Sequence, residues 1–251
     1  MSELIQFGYD FEKYNHIDPP TRQNMELWDK TKPGGRLWQL LKPVVTFDPT
    51  IWKNPAVALL AQYNFPFEYS RKIDGTNVRV HWDGERLTYA GKNDKNPEES
   101  GFKGIEDYMR ANFLEEAFEE KFGREISVSL YGEFMGPKVQ LNELKLDEME
   151  LVLFDVKINR TWLLTKDMAE IASYFKLRTA FDFMGEDKST EKVATEGNPN
   201  VGNLNTLIQS CSAGDFRDWE GIVAKPVGGF LDRIGRRIII KIKNHDYFES
   251  A

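Results

Sequence analysis

One short stretch of this sequence combines a potential nucleophile with an acid and a glycine: it reads Lys72-Ile73-Asp74-Gly75. A lysine amine has an ordinary pKa near ~10.4, so at neutral pH it is protonated and cannot attack phosphorus. Nearby positive charge or a metal ion favours the neutral form. We therefore predict that Lys72 is the nucleophile of a covalent reaction if the fold brings further cations beside it.

Downstream, the chain supplies separated carboxylates and more lysines. They occur in Tyr131-Gly132-Glu133-Phe134, Leu153-Phe154-Asp155-Val156, Trp219-Glu220-Gly221-Ile222-Val223-Ala224-Lys225 and Ile240-Lys241-Ile242-Lys243. Lysines neutralise the charge that develops on phosphate and a leaving pyrophosphate, so Lys225, Lys241 and Lys243 are candidates for that task. Glu133 and Glu220 can hold a ribose hydroxyl or a magnesium ion, and the spacing leaves both roles open.

In this order the five motifs resemble motifs I, III, IIIa, IV and V of the lysine-dependent nucleotidyltransferases. This superfamily includes ATP-dependent RNA and DNA ligases and messenger-RNA capping enzymes. DNA ligases and capping enzymes usually carry arginine two places after the motif I glycine, where this chain has Asn77. The resemblance therefore implies an ATP-dependent RNA ligase, which joins 5′-phosphate and 3′-hydroxyl ends through lysyl-AMP and an AMP-polynucleotide. The alternatives are a DNA ligase, a capping-type transferase or a non-catalytic nucleic-acid-binding relative.

The resemblance also implies roles for individual residues, with ATP and Mg²⁺ or Mn²⁺ as cofactors. The catalytic set is Lys72, Glu133, Glu220, Lys241 and Lys243, and the two glutamates are also the candidate metal ligands. The nucleotide-binding set is Lys72, Ile73, Asp74, Gly75, Lys92, Phe154, Val223, Lys225, Lys241 and Lys243. Within it, Phe154 is expected to stack on one face of adenine while Val223 covers the other. Asn77 and Arg79 are candidate contacts to the RNA substrate, which is a nicked duplex, an RNA–DNA hybrid or single-stranded ends.

The length, charge and composition of the chain limit how it can bind nucleic acid and where we expect it to act. The chain has 251 residues and a formal charge of -7, which argues against indiscriminate coating of nucleic acid. Six basic residues and a single acid nevertheless lie between Lys225 and Lys243, as expected for a local groove or a charged edge strand. The single Cys211 is expected to be a buried thiol. With neither a signal-type N-terminus nor a long apolar run, we expect a cytoplasmic monomer without a membrane partner, similar to small phage or viral repair enzymes.

The pattern of elements predicts an α+β fold with antiparallel sheets and a single nucleotidyltransferase domain over residues 1–251. Residues 1–66 are rich in proline and turn formers, and we expect short strands and loops packed on the motif-bearing core of residues 67–251. The sequence stops eight residues after Lys243. We therefore expect a stand-alone catalytic domain without the C-terminal oligonucleotide-binding fold of DNA ligases and capping enzymes.

Individual elements follow from hydrophobic periodicity and turn residues. Asp83-Gly84 lies between two alternating runs and predicts a hairpin. Apolar residues recur at helical spacing from Ile105 to Phe118 and predict a single surface helix. Further strands are expected at 128–133, 151–156, 222–225 and 237–243, a helix at 166–175 capped by Thr165, and a loop at 185–203.

Overall fold

The computed structural model describes residues 55–91, 103–137, 139, 144–184, 200–231 and 237–243. Residues 1–54 of the predicted N-terminal extension and the candidate residue Lys92 lie outside these ranges. The described α-helices are α1 (Pro55–Gln62), α2 (Lys103–Asn112), α3 (Glu115–Phe122), α4 (Thr165–Tyr174) and α5 (Leu204–Ala213), with a short 3-10 helix at Ala180–Phe183. In this part of the chain, no helix is long and apolar enough to cross a membrane.

Two β-sheets carry the predicted motifs. The strands are β1 (Pro66–Arg71), β2 (Thr76–Trp82), β3 (Leu87–Gly91), β4 (Val128–Met135), β5 (Glu150–Ile158), β6 (Thr161–Trp162), β7 (Asn200–Asn203), β8 (Gly221–Pro226) and β9 (Ile240–Lys243). Sheet A has the order β7-β1-β8-β9, and sheet B has the order β3-β2-β4-β5-β6. The ladders between these strands are antiparallel, which confirms the predicted α+β fold class.

Sheet A is apolar on one face and polar on the other. Its apolar face packs against α1 and α5 in a core that contains Phe67, Leu204, Ile222 and Ile242. Asn203 is the N-cap of helix α5, and its side chain accepts a hydrogen bond from the backbone N–H of Thr206. Since side chains alternate along a strand, the polar face of sheet A carries Lys72 and the lysines of motifs IV and V, Lys225, Lys241 and Lys243.

Sheet B has its own core on the face that α2, α3 and α4 cover. The alternating residues of β2, β4 and β5 point into it, and its buried members include Val78, Val80, Trp82, Leu130, Phe134, Leu151 and Leu153. A smaller buried cluster of Ile73, Met135, Val152 and Ala180 lies on the opposite face, with Phe154 packed against it. The segment from Lys72 to Gly75, which contributes Ile73 to this cluster, therefore joins sheet A to this opposite face of sheet B.

The structure confirms the predicted hairpin and the strands at motifs III, IIIa and IV, but it corrects four other expectations. The run from Ile105 to Phe118 forms two helices, α2 and α3, which the non-helical residues 113–114 separate. Residues 55–62 form a helix where short strands and loops were expected. Residues 200–203 form strand β7 at the end of the predicted loop, and α5 follows without having been predicted. The last strand starts at Ile240 instead of Arg237.

The predicted capping role of Thr165 is also wrong. Helix α4 already includes Thr165, and its N-cap residue is Leu164, which makes no side-chain capping hydrogen bond. The Thr165 hydroxyl instead donates to the carboxylate of Glu68 on sheet A. A long-range contact to the other sheet has therefore replaced the local cap.

Candidate active site

The predicted nucleophile lies at the end of β1, beside the glycine of motif IV. The backbone N–H of Lys72 donates to the carbonyl of Gly221 at 2.9 Å, which fixes the two motifs next to each other. The Lys72 ammonium contacts the Glu220 carboxylate, and Nζ of Lys243 lies 3.6 Å from Oε1 of the same carboxylate. Motifs I, IV and V thus meet at one carboxyl group.

The register of sheet A explains this convergence. Ser70 pairs with Val223, and Val223 pairs with Lys241. Positions two residues along each strand point to the same side, so Lys72 and Lys243 share the face of Val223 and Lys241. Lys241 is exposed and Val223 is half-buried on that face.

Gly221 has no room for a side chain. A Cβ atom there would lie 2.1 Å from the carbonyl oxygen of Ile242, and the residue has a φ of +151°, which side-chain-bearing residues rarely adopt. The close approach of β8 and β9 at this point brings Lys243 near Glu220. The glycine of the Glu-Gly motif is therefore required by packing.

Gly75 likewise lies where the packing against sheet B leaves no room for a side chain. A Cβ atom on Gly75 would lie 2.5 Å from the carbonyl oxygen of Phe134 and 2.9 Å from Cγ of Glu133. The chain therefore passes directly over motif III after it leaves Lys72. Asn77 then pairs with Glu133 in the β2–β4 ladder, and its side chain hydrogen-bonds the Glu133 carboxyl group.

Glu133 has an unusual environment for a carboxyl group. Burial raises its pKa to about 7, although Lys72, the hydrogen bond from Asn77 and Lys241 each lower it. The negative charge of Glu220 also acts to raise the pKa. The two glutamates and the lysines of motifs I and V are thus close enough to interact electrostatically across the space between the sheets.

A β-bulge in motif IIIa directs two consecutive side chains towards the site. The β4–β5 pairing shifts between Tyr131 and Gly132, so that Tyr131 lies opposite Asp155 while Gly132 lies opposite Leu153. The extra residue is Phe154, which packs on the cluster around Ile73 and Val152. Without the bulge, strict alternation would turn either Phe154 or Asp155 away from the site.

Asp155 connects the two sheets. Nζ of Lys225 in β8 donates to Oδ2 of Asp155 at 3.1 Å and to the carbonyl of Phe154 at 2.8 Å. Arg237 also contacts the Asp155 carboxylate, and its guanidinium lies 4.7 Å from the ring centre of Trp162. Burial acts to raise the pKa of Asp155, but Arg237 and Lys225 outweigh it and hold the pKa below its ordinary value. We call Asp155, Lys225 and Arg237 the inter-sheet cluster.

Sequence reasoning missed most of this cluster. The sequence indicates Asp155 only as a member of its motif, and Arg237 only as one charge of a basic stretch. Lys225 and Arg237 have buried side chains, 11% and 7% exposed, so they lie inside the protein instead of forming an open polyanion surface. No local sequence pattern links these residues, because their contacts join segments that are far apart in the sequence.

The structure gives the positions of the other predicted site residues, and their roles stay predictions. Arg79 is buried near the hydroxyl of Tyr131, so a role in RNA contact remains a prediction. Ile73 is buried in the cluster beneath Phe154, and Asp74 is half-buried. Among the described residues, no three His, Cys, Asp or Glu side chains are grouped closely enough to form a metal site by themselves.

Solved structures with this architecture include several forms of Naegleria gruberi RNA ligase. A mutant with ATP and Mn matches with a TM-score of 0.52 and 17% identity, over 76% of this chain and 54% of that chain. The form with PPi gives a TM-score of 0.51 at 18% identity, with the same coverage. A mutant with AMP and Mn gives 0.51 at 17% identity, over 74% of this chain and 52% of that chain. The chain therefore shares the RNA ligase fold and spans about half the length of these structures.

The sequence itself identifies the family. The family model described as RNA ligase matches residues 66–243, which is well over half of the chain and includes all five motifs. The chain therefore belongs to the RNA ligase family. A comparison with curated proteins gave no match.

Proposed function

We propose that this chain is an ATP-dependent RNA ligase that forms a covalent lysyl-AMP intermediate on Lys72. The observation that carries the proposal is the meeting of Lys72, Glu220 and Lys243, with Glu133 facing them from the second sheet. Family membership and a shared fold with structures that hold ATP, AMP or PPi support the same reaction.

The first step is a displacement at the α-phosphorus of ATP. The Lys72 ammonium first loses a proton to water. Its neutral amine then forms a P–N bond as the P–O bond to pyrophosphate breaks, pyrophosphate leaves, and a second proton passes from the nitrogen to water. Lys241 and Lys243 lie on the same face as the nucleophile and can stabilise negative charge on the phosphates. The AMP group then passes to the 5′-phosphate of one strand, and the 3′-hydroxyl of the other displaces AMP to form the phosphodiester.

Adenine fits between the two sheets in this proposal. Phe154 comes from sheet B, Val223 comes from the facing side of sheet A, and the hydrogen bond from Lys225 to the Phe154 carbonyl holds the two strands at a fixed separation. A flat apolar slot of this kind suits a purine, because an aromatic ring on one face and an aliphatic side chain on the other contribute stacking and hydrophobic contact.

A divalent cation fits the carboxylates at this site. Glu133 and Glu220 offer hard oxygen ligands, which suit Mg²⁺ or Mn²⁺ when phosphate oxygens and water complete the coordination. Such a cation would supply positive charge beside the phosphates. Because Glu220 also contacts Lys72, its carboxylate would be shared between the nucleophile and the cation.

The first test is the intact mass of the protein after incubation with ATP and Mg²⁺ or Mn²⁺. We expect the wild type to gain one AMP, peptide mapping to place it on Lys72, and Lys72→Ala to gain none. Lys121→Ala, at a lysine that lies over the ring of Tyr174 on the far side of sheet B, is the matched control and should be labelled normally. A wild type that gains no mass would contradict the proposal, and labelling by GTP alone would indicate a capping-type enzyme.

A second test separates lost chemistry from lost folding. Lys72→Ala should still join a strand whose 5′-phosphate already carries AMP, because that step no longer needs the lysine. It should fail to join the ordinary 5′-phosphate with ATP. Comparison of nicked duplexes, RNA–DNA hybrids and free single strands would then define the substrate. We propose a monomeric enzyme whose RNA substrate is a nicked duplex or an RNA–DNA hybrid. Joining of DNA ends with no preference for RNA would overturn the proposed substrate class.

A further inference from the structure

The loop that carries Glu220 is held by a stack of side chains on the opposite side of sheet A from the nucleophile. This loop runs from 214 to 220, between α5 and β8, and it is stabilised by turns such as Trp219 N–H to the Phe216 carbonyl at 2.9 Å. The rings of Phe216 and Trp219 are stacked with centres 4.9 Å apart, and Tyr69 packs edge-on against Phe216. These rings join the loop to the core of sheet A.

Arg71 completes the stack. Its guanidinium lies 5.4 Å from the ring centre of Trp219, within the range of a cation–π contact, and it donates to the carbonyl of Asp218 at 3.3 Å. Both contacts are made to the two residues just before Glu220. The planar guanidinium is suited to this arrangement because it can lie over a ring and donate a hydrogen bond at the same time.

Arg71 and Lys72 are neighbours in the chain, as are Trp219 and Glu220. Arg71 belongs to β1 and pairs with Ile222, so its side chain lies on the apolar side of the sheet, while Lys72 reaches Glu220 on the other side. The backbone hydrogen bond from Lys72 to Gly221 lies between the two contacts. The junction between β1 and β8 is therefore held by side-chain contacts on both faces of sheet A.

We infer that Arg71 is a positioning residue for Glu220. It acts by holding the Trp219 end of the loop, so that the carboxylate stays against the ammonium of Lys72. The inference rests on the proposed function for its catalytic consequence, but the geometric consequence can be measured without any nucleotide. Loss of the guanidinium should release the loop and loosen the Lys72–Glu220 contact, although neither of those residues has been changed.

The geometric test is the rate at which Lys72 is acetylated by trace acetic anhydride, followed by peptide mapping. The contact with Glu220 shields the amine, so Glu220→Gln should increase the rate several-fold, and Arg71→Met should do the same. The double variant should react no faster than Glu220→Gln alone, because both changes remove the same contact. Lys121 provides an internal reference whose rate should not change, and Arg71→Lys should restore only part of the wild-type protection.

The catalytic test is the rate of lysyl-AMP formation in the same variants. We expect Arg71→Met to lower kcat by about tenfold or more with KM for ATP nearly unchanged, because the lost quantity is alignment at the reacting atoms. Arg124→Met, which removes an exposed guanidinium bound to Glu119, is the matched control. Thermal melts check that each variant is folded.

Two results would overturn the inference. One is unchanged Lys72 acetylation in folded Arg71→Met, and the other is a double variant whose effects are the sum of the single ones. If the wild type forms no lysyl-AMP, the proposed function fails, and the acetylation rates still decide whether Arg71 positions Glu220.

Discussion

At the scale of single residues, the carboxyl group of Glu133 leads to an expectation about pH. Burial raises its pKa in the folded state to about 7 from an ordinary value of 4.5. This shift stabilises the folded state, and the contribution is complete at pH values below the ordinary pKa of 4.5. It is lost as pH rises through about 7, because the folded protein then has to bury a charged carboxylate. The metal-free protein should therefore lose this contribution between mildly acidic and neutral pH.

Glu133→Gln tests that expectation. The amide keeps the shape of the side chain and cannot ionise, so the variant should gain melting temperature relative to wild type at pH 8 but not at pH 5. We expect a difference of about 2–5 °C between the two pH values, measured in a chelator so that no cation binds the carboxylate. An equal effect of the substitution at both pH values would contradict the assigned environment of Glu133.

Residue types and order predicted part of the group of side chains that meet at the site. Lys72 and Lys243 both contact the carboxylate of Glu220, because each motif includes a strand or a strand end that fixes its side chains. The partnership of Asp155 with Arg237 was not predictable, since the two residues are far apart in the sequence and no local pattern links them. The same holds for Arg71 and Trp219.

At the scale of elements, the inter-sheet cluster connects β5 to β8. Asp155 is 2% exposed at its side chain and lies between two cations, so its charge is needed to keep both of them inside the protein. Removal of a buried partner that leaves charges uncompensated typically costs about 3–5 kcal/mol. We therefore expect loss of the Asp155 carboxylate to lower the free energy of unfolding more than loss of either Lys225 or Arg237.

Comparison of Asp155→Asn with Arg237→Met tests this asymmetry. Asp155→Asn should lower the free energy of unfolding by about 3–5 kcal/mol, because Lys225 and Arg237 lose their shared carboxylate. Arg237→Met should cost less, because Lys225 still pairs with Asp155 and the Met side chain can pack on Trp162. Urea titrations of both variants measure the difference, and a larger loss in Arg237→Met would show that the carboxylate is not the centre of the cluster.

Hydrophobic periodicity predicted the strands of sheet B well, because alternating residues face a core on one side. Sequence patterns did not locate the ends of the helices. Thr165 was expected to cap a helix and instead donates to Glu68, and the apolar run around Phe113 was expected to be one helix and forms two. Helix α5 was missed because Asn203 follows a polar segment that is typical of a loop.

At the scale of the whole molecule, each sheet has its own apolar core, and the candidate nucleotide site lies between them. A ligand that contacts Phe154 from sheet B and Val223 from sheet A would bind only when both halves are folded and correctly placed. It should therefore stabilise the entire described domain by mass action, by about 2.7 kcal/mol when its concentration is a hundredfold above Kd.

Melting curves of Lys72→Ala with and without ATP measure this coupling without any covalent reaction. ATP should raise the melting temperature, and the additional change Phe154→Ala should remove most of the increase. Phe183→Ala is the control, because Phe183 packs in the same cluster as Phe154 but is not predicted to contact adenine. An ATP effect that survives the loss of Phe154 would place the nucleotide elsewhere.

The bulge in β5 has a consequence for anyone who redesigns or shortens this protein. Deletion of either Phe154 or Asp155 would give β4 and β5 an uninterrupted ladder. The same deletion would remove either the aromatic platform or the acid that joins the sheets. Here a more regular strand would lose part of the candidate site, so the irregular residue belongs among the positions to be left fixed.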